Sequence, residues 1–241
     1  MKRIIKITMR IENVILVGAI IAVFGIVAGS AFAMADPAGG SVVGTATDQG
    51  AYSGTSAGTI DVVSGHIYEA NVTGEQSTYH WTGVYGNAAG NLILGDSSSE
   101  VMYNWTATAT YVFFDDDSTV NWNTLATATC TDVESSFSFL SGASDNCANT
   151  FTTTHDPSFK SIQDIAATSA VQTYDDTGAG YWWTLAVKDS TAGDVLFAAE
   201  VDTSGHNSYN GVSSNYQVIL PENGELGDTT ATTYYIWIEL Y

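Results

Sequence analysis

Four groups of residues in this 241-residue chain have the type and spacing to do chemistry: a cysteine pair, two glycosylation sequons, an aspartate run and a tryptophan pair. Cys130 and Cys147 are the only cysteines. In an exported chain their default state is a disulfide, and closing a loop of that length stabilises a fold by about 3 kcal/mol. Two unrelated buried thiols are the alternative, and two cysteines alone make no recognisable zinc site. Asn71-Val72-Thr73 and Asn104-Trp105-Thr106 are N-glycosylation acceptors. If Tyr103 and Trp105 take the buried face of a strand, Asn104 points outward. Asp115-Asp116-Asp117 gathers carboxylates of the kind Ca²⁺ takes. Smaller acidic groups recur at Asp132 and Glu134, at Asp175 and Asp176, and at Glu222, Glu225 and Asp228. None has the spacing of a recognised calcium loop, so a solvated acidic turn is the competing reading of each. In Tyr181-Trp182-Trp183, adjacent strand residues face opposite ways. One of Trp182 and Trp183 therefore leaves the core side and is available to a ligand or a neighbouring subunit.

Enzyme signatures are missing from the sequence. His66, His80, His155 and His206 are isolated from one another and read as structural. They have no G-x-S-x-G elbow and no H-E-x-x-H or Cys/His zinc pattern beside them. A carboxylate pair for glycoside hydrolysis depends on separation in space, and nothing in the sequence points to one. The expectation is a protein that is not an enzyme and uses no cofactor other than Ca²⁺.

The chain opens with a basic stretch (Lys2, Arg3, Lys6, Arg10), then an apolar run from Val14 to Ala33, then small residues in A-x-A order. That order is a secretory leader, expected over residues 1–35 as a hydrophobic helix and cleaved after Ala33 or Ala35. At about 20 residues the run also has the length of an uncleaved membrane anchor. Cleavage removes four of the six basic residues and one of the 26 acidic ones, leaving a net charge near −23. Such a chain repels nucleic acid, which needs clustered Lys and Arg, and its only membrane contact is through the leader.

Residues 36–58 are rich in Gly, Ser, Thr and Ala and read as a linker or a loosely held donor strand around Val42-Val43. The rest, 59–241, reads as one β-domain. Strands are expected at Thr59–Val63 and His66–Val72, then as a meander through Tyr79–Trp105 with Trp81 and Trp105 in the core, then at Ala107–Phe114. Val133, Phe137 and Leu140 have helical spacing, with Thr131 or Asp132 as a cap, inside the cysteine-bracketed segment. Asn149–Gly180 reads as irregular, anchored by Phe151, Phe159 and Ile165. Strands return at Tyr181–Lys188, Val195–Val201, Asn215–Leu220 and Thr233–Leu240, the last with Tyr234, Ile236, Ile238 and Leu240 on an apolar face and Glu239 opposite. The fold class is all-β: an antiparallel β-sandwich, jelly-roll or Ig-like, with a short helical or irregular disulfide-stapled insertion.

Several short motifs in order carry a resemblance: Trp81-Thr-Gly83-Val-Tyr85-Gly86-Asn87, Gly90-Asn-Leu-Ile-Leu-Gly-Asp96, Tyr103-Asn-Trp105, the Cys130–Cys147 acidic segment, and Leu220-Pro221-Glu222-Asn223-Gly224 before an aromatic terminal strand. Over residues 66–241 the chain resembles a family of exported archaeal cell-surface β-proteins. The resemblance implies a cell-envelope or extracellular location and supplies no catalytic residues. Function is expected to be structural or adhesive, as a filament or sheath subunit assembled by strand addition, with self-association or other envelope proteins as partners. A carbohydrate-binding module, with glycans as ligands, is the alternative.

Overall fold

Three apolar runs of the last two-thirds, Tyr111–Phe114, Leu185–Val187 and Val195–Ala199, do not alternate with polar residues. Each lies in a strand buried on both faces, which is what an uninterrupted apolar run of that length signals. The computed structural model describes residues 36–43, 46–53, 56–139, 142–162, 165–222 and 231–241. The expected leader and its helix, Leu140 and the Asn223-Gly224 turn lie outside these residues.

Twelve strands and two short helices make up the described chain. The strands are β1 (Ala38–Gly39), β2 (Trp81–Gly86), β3 (Gly90–Gly95), β4 (Val101–Ala107), β5 (Ala109–Asp115), β6 (Leu125–Thr127), β7 (Thr153–His155) and β8 (Thr168–Tyr174). They continue with β9 (Gly180–Asp189), β10 (Val195–Glu200), β11 (Tyr216–Pro221) and β12 (Tyr235–Leu240); the helices are α1 (Cys130–Ser136) and α2 (Cys147–Thr150). All pairings are antiparallel. The main sheet runs β1-β12-β5-β10-β9-β8-β7, with β6 also on β9. Two smaller two-stranded sheets are β11-β2 and β3-β4.

Both faces of the main sheet are covered. On the first, Val112, Phe114, Ala186, Val195, Phe197 and Ala199 meet Val218 and Leu220 of β11, Val133 and Phe137 of the α1 region, and Phe151. Cys130 and Cys147, the first residues of α1 and α2, are joined by a disulfide. Thr129 caps α1: its hydroxyl accepts from the Asp132 amide while the Asp132 carboxylate accepts from the Thr129 amide. The cap is thus two residues earlier than Thr131 and three earlier than Asp132, with Asp132 as the reciprocal partner. Lys188 Nζ donates to Asp132 Oδ1 at 2.5 Å and ties the helix to β9.

On the second face, Tyr111, Phe113, Leu185, Val187, Leu196 and Ala198 are covered by Trp122, in a 3-10 turn at Trp122–Thr124, and by a loop that brings in Phe159, Ile162 and Ile165. Phe151, Phe159 and Ile165 therefore do anchor the 149–180 region. That region is not irregular throughout, because β7 and β8 extend the sheet there. Its Thr- and Ser-rich composition conceals them.

Glu239 holds this covering loop in place. Its carboxylate is fully buried; Oε1 accepts from the Lys160 amide, the Ser161 amide and the Ser161 hydroxyl at 2.8 Å each, and Oε2 accepts from the Thr110 hydroxyl. The face of the last strand opposite Tyr234, Ile236, Ile238 and Leu240 is thus covered as well. A carboxylate can be buried when its lone pairs are occupied by donors, and four donors converge here.

The N-terminal part departs furthest from the sequence reading. No strand forms at Thr59–Val63 or His66–Val72, and Val42-Val43 is exposed while β1 forms earlier, at Ala38–Gly39. Tyr79–Trp105 is not a meander: β2 pairs with β11, and β3-β4 form a separate hairpin. Trp81 is half-buried against the first core, but Trp105 is exposed. Period-two alternation was the signal for these strands, and alternation specifies strands without specifying what covers them.

Two results are expected. Glu239→Leu leaves buried backbone donors unmet and lowers unfolding free energy by about 3 kcal/mol, while Glu239→Gln costs about half as much or less; urea titration measures both, and an unaltered Leu variant would contradict this. Reducing the Cys130–Cys147 bond lowers stability by about 3 kcal/mol in the same titration.

Candidate functional site

The covering loop stops short of one end of the second face and leaves a cleft there. Trp183 pairs with Gln172 of β8, and the pairing of Thr184 with Ala199 sets Trp183 beside Glu200 of β10. Gln172, Tyr181, Trp182, Trp183, Glu200 and Asp202 line a hollow of about 240 Å³. A second hollow of about 170 Å³ shares Glu200 with it and is bordered by Tyr111, Ser158 and Lys160. The cleft combines aromatic rings with two carboxylates.

Its aromatic faces are partly occupied. The His155 ring stacks on Trp183 with centroids 4.3 Å apart and planes at 18°, and its Nε2 is 3.3 Å from Glu200 Oε2. The His206 ring stacks on Tyr181 at 3.6 Å and 24°, and its Nδ1 is 3.4 Å from Asp202 Oδ2. Trp182 is buried and Trp183 is half-buried. The two rings do lie on opposite faces, but the expectation that one leaves the core side is corrected: both faces of the sheet are covered, and Trp183 packs against the second core with its ring stacked by His155. Histidine placement was the missed feature: three of the four histidines stand against carboxylates, His80 and His155 against residues distant in sequence and His206 against Asp202 four residues before it. No spacing rule reveals such pairs.

Burial by itself would raise the Asp202 carboxyl, but donation from the Ser204 hydroxyl and amide and from the His206 amide outweighs it and holds the group down at about 2. His80 is the third pair. It is buried, its Nδ1 is 2.7 Å from Asp145 Oδ1, and Thr78 donates to Asp145 Oδ2 at 2.5 Å. Its Nε2 meets no hydrogen-bond partner among the described residues. A histidine–carboxylate pair of this kind orients a ring, but hydrolysis also requires a nucleophile on the free nitrogen, and none is placed there.

The aspartate run is split by its strand. Asp115 ends β5 and is fully buried, while Asp116 and Asp117 are exposed on the following turn. Burial pushes the Asp115 carboxyl up to about 7, helped by the Asp116 and Asp194 carboxylates and opposed by the Asp117 amide. Among the described residues no three acidic, histidine or cysteine side chains converge on one point as a formed metal cage. Of the other acidic groups, Glu225 and Asp228 lie outside the described residues, and two serve local structure. Asp132 caps α1 and pairs with Lys188, and Asp175 accepts from the amides of Thr177 and Ala179. Asn71 and Asn104 are both exposed. No protein-family model, curated protein or solved structure matches the chain.

Asp202 gives a pH signature with a definite sign. Its folded pKa lies below the unfolded value of about 3.9, so its contribution is present above pH 4 and is lost as pH falls from about 4 to 2. Asp202→Asn should flatten the stability–pH curve in that window by urea titration. A variant curve parallel to wild type would contradict the assignment.

Proposed function

We propose that this protein is an exported structural subunit of the cell surface, an acidic β-sandwich that assembles with copies of itself. The observation that carries the reading is the β3-β4 hairpin. It continues directly from β5, with only Thr108 between β4 and β5, and projects as an arm whose residues are almost all exposed. Leu92 pairs with Trp105 and Leu94 with Tyr103, so these four share one face, and the Tyr103 and Trp105 rings pack edge to face at 4.8 Å. Neither strand contains a charged residue, on a chain of net charge −20. An isolated two-stranded hairpin is at best marginal in water, and an exposed apolar patch on one marks an interaction surface.

A second copy is the occupant that fits. Every copy carries both the arm's uncharged strands and a segment with Ile60, Val62, Ile67 (101% exposed) and Val72 (88% exposed) outside any sheet. Strand addition uses backbone of this kind, outside a sheet and beside apolar side chains, by drawing it into a neighbour's ladder. β1 supplies a small internal example, adding Ala38–Gly39 to the edge of β12. Asn104 lies on the arm's other face, opposite Ile93, so a glycan there leaves the Leu92–Trp105 face free. Archaeal origin and Asn71 and Asn104 glycosylation belong to this same reading and rest on the sequence motifs.

Glycan binding in the Trp183 cleft is the second reading, favoured by its rings and carboxylates. It requires that Trp183→Ala abolish binding across a glycan panel, and the absence of any glycan bound by wild type would dispose of it.

Leader-free protein should form larger species as concentration rises, by light scattering coupled to size exclusion. Leu92→Ser with Trp105→Ser should remain monomeric with an unchanged circular dichroism spectrum. Wild type that stays monomeric at high concentration, with and without Ca²⁺, would rule out this function.

A further inference from the structure

The acidic end of the main sheet carries an observation independent of assembly. Three adjacent strands, β9, β10 and β5, bring Asp189, Asp194 and Asp115 to the same end. Asp189 closes β9, Asp194 immediately precedes β10, and Asp115 closes β5. In the alternation of each strand, Asp189 follows Leu185 and Val187, Asp194 precedes Leu196, and Asp115 follows Tyr111 and Phe113. All five of these apolar residues belong to the second core, so the three carboxylates emerge on one face.

Their surroundings differ. Asp189 is saturated: it accepts from the Asn121, Thr191 and Ala192 amides and from the Thr124 hydroxyl. Asp115 is the reverse. Its Oδ1 accepts from the Asp117 amide at 3.1 Å, while its Oδ2 is buried and has no hydrogen-bond partner. What lies near it is more negative charge, from the Asp116 and Asp194 carboxyls. Asp194 in turn is pushed up by burial and then by Asp117, Asp116 and Asp189. Neither lysine downstream of residue 35 relieves this charge directly: Lys188 is engaged by Asp132, and Lys160 lies in the covering loop beside Glu200. A fully buried carboxylate oxygen without a donor is costly, and neighbouring carboxylates make it more so.

We infer that the buried, donor-less Oδ2 of Asp115, with the carboxylates of Asp116 and Asp194, binds a hard divalent cation, Ca²⁺. Calcium takes six to eight oxygens in flexible geometry and accepts carboxylates, backbone carbonyls and water together. The three carboxylates are not drawn together without the ion, so Asp116 and Asp194, which flank turns, must close on Asp115 when the ion binds. Mg²⁺, which demands near-ideal octahedral geometry and parts with water reluctantly, fits this arrangement less well. The site fastens the turn after β5 to the turn between β9 and β10.

The test is thermal unfolding of the leader-free protein at pH 8, chelator-treated and then titrated with CaCl₂ or MgCl₂. A specific site predicts a saturable rise in Tm, roughly 5 °C or more once Ca²⁺ exceeds its Kd a hundredfold, with a smaller response to Mg²⁺. Asp115→Asn should remove the Ca²⁺ response while unfolding, without ion, at or above the wild-type temperature, because it deletes a crowded charge. Asp61→Asn, at an exposed position away from the cluster, should keep the full response. A wild type unmoved by millimolar Ca²⁺ would overturn the inference. So would equal losses of response in the Asp61 and Asp115 variants, which would indicate general screening of the acidic surface. If Asp115→Asn fails to fold, Asp194→Asn with the same readout decides.

Discussion

The carboxylate of Glu239 is the contact on which the second face of the sheet depends. The main sheet has apolar side chains on both sides, and the second side has no regular element large enough to cover it, only a 3-10 turn and the loop through Phe159, Ile162 and Ile165. A loop has no ladder to hold it, so its position must come from side chains. Glu239 supplies this by accepting from two successive loop amides and a loop hydroxyl, while Thr110 secures its other oxygen from the strand beside it. Beside the pinned residues, Ser158 and Lys160 of the loop border a hollow with Tyr111 and Glu200, and Glu200 also lines the cleft at Trp183.

The first face is closed by a different device. The β2-β11 pair and the disulfide-linked helices lie over it, and Asp132 joins the capping of α1 to a cross-link with Lys188. Between these two faces, β5, β9 and β10 have no polar side, which leaves charge at their ends. Asp115, Asp189 and Asp194 gather at one end, Glu200 and Asp202 at the other. The strongly acidic composition is thus concentrated where strands stop, and both the proposed cation site and the cleft follow from that constraint.

The sequence announced the buried strands well, because runs such as Val195–Ala199 and Tyr111–Phe114 have no other reading at that length. Tyr181–Lys188, Asn215–Leu220 and Thr233–Leu240 were legible for the same reason, as was the pairing of Cys130 with Cys147. Glu239 was not, because its burial depends on donors almost eighty residues away, and no local pattern encodes a partner at that range. The pairing of His80 with Asp145 and of His155 with Glu200 was hidden for the same cause. Trp105 was misplaced for a more instructive reason. Alternation in Tyr79–Trp105 correctly indicated strands with one apolar face, and the inference that this face is buried within the same chain was the error. An apolar strand face left uncovered among the described residues is the main support for the proposed assembly.

That uncovered face makes a demand on the assembled state that can be measured directly. Hydrogen–deuterium exchange of dispersed and assembled protein, followed peptide by peptide, reports whether strands at 90–107 and the segment at 56–72 gain partners. The account predicts strong new protection of the arm's outward amides on assembly, extending into 56–72, with little change in β9 and β10, which are already fully paired. Assemblies whose arm exchanges as fast as it does in the monomer would contradict it.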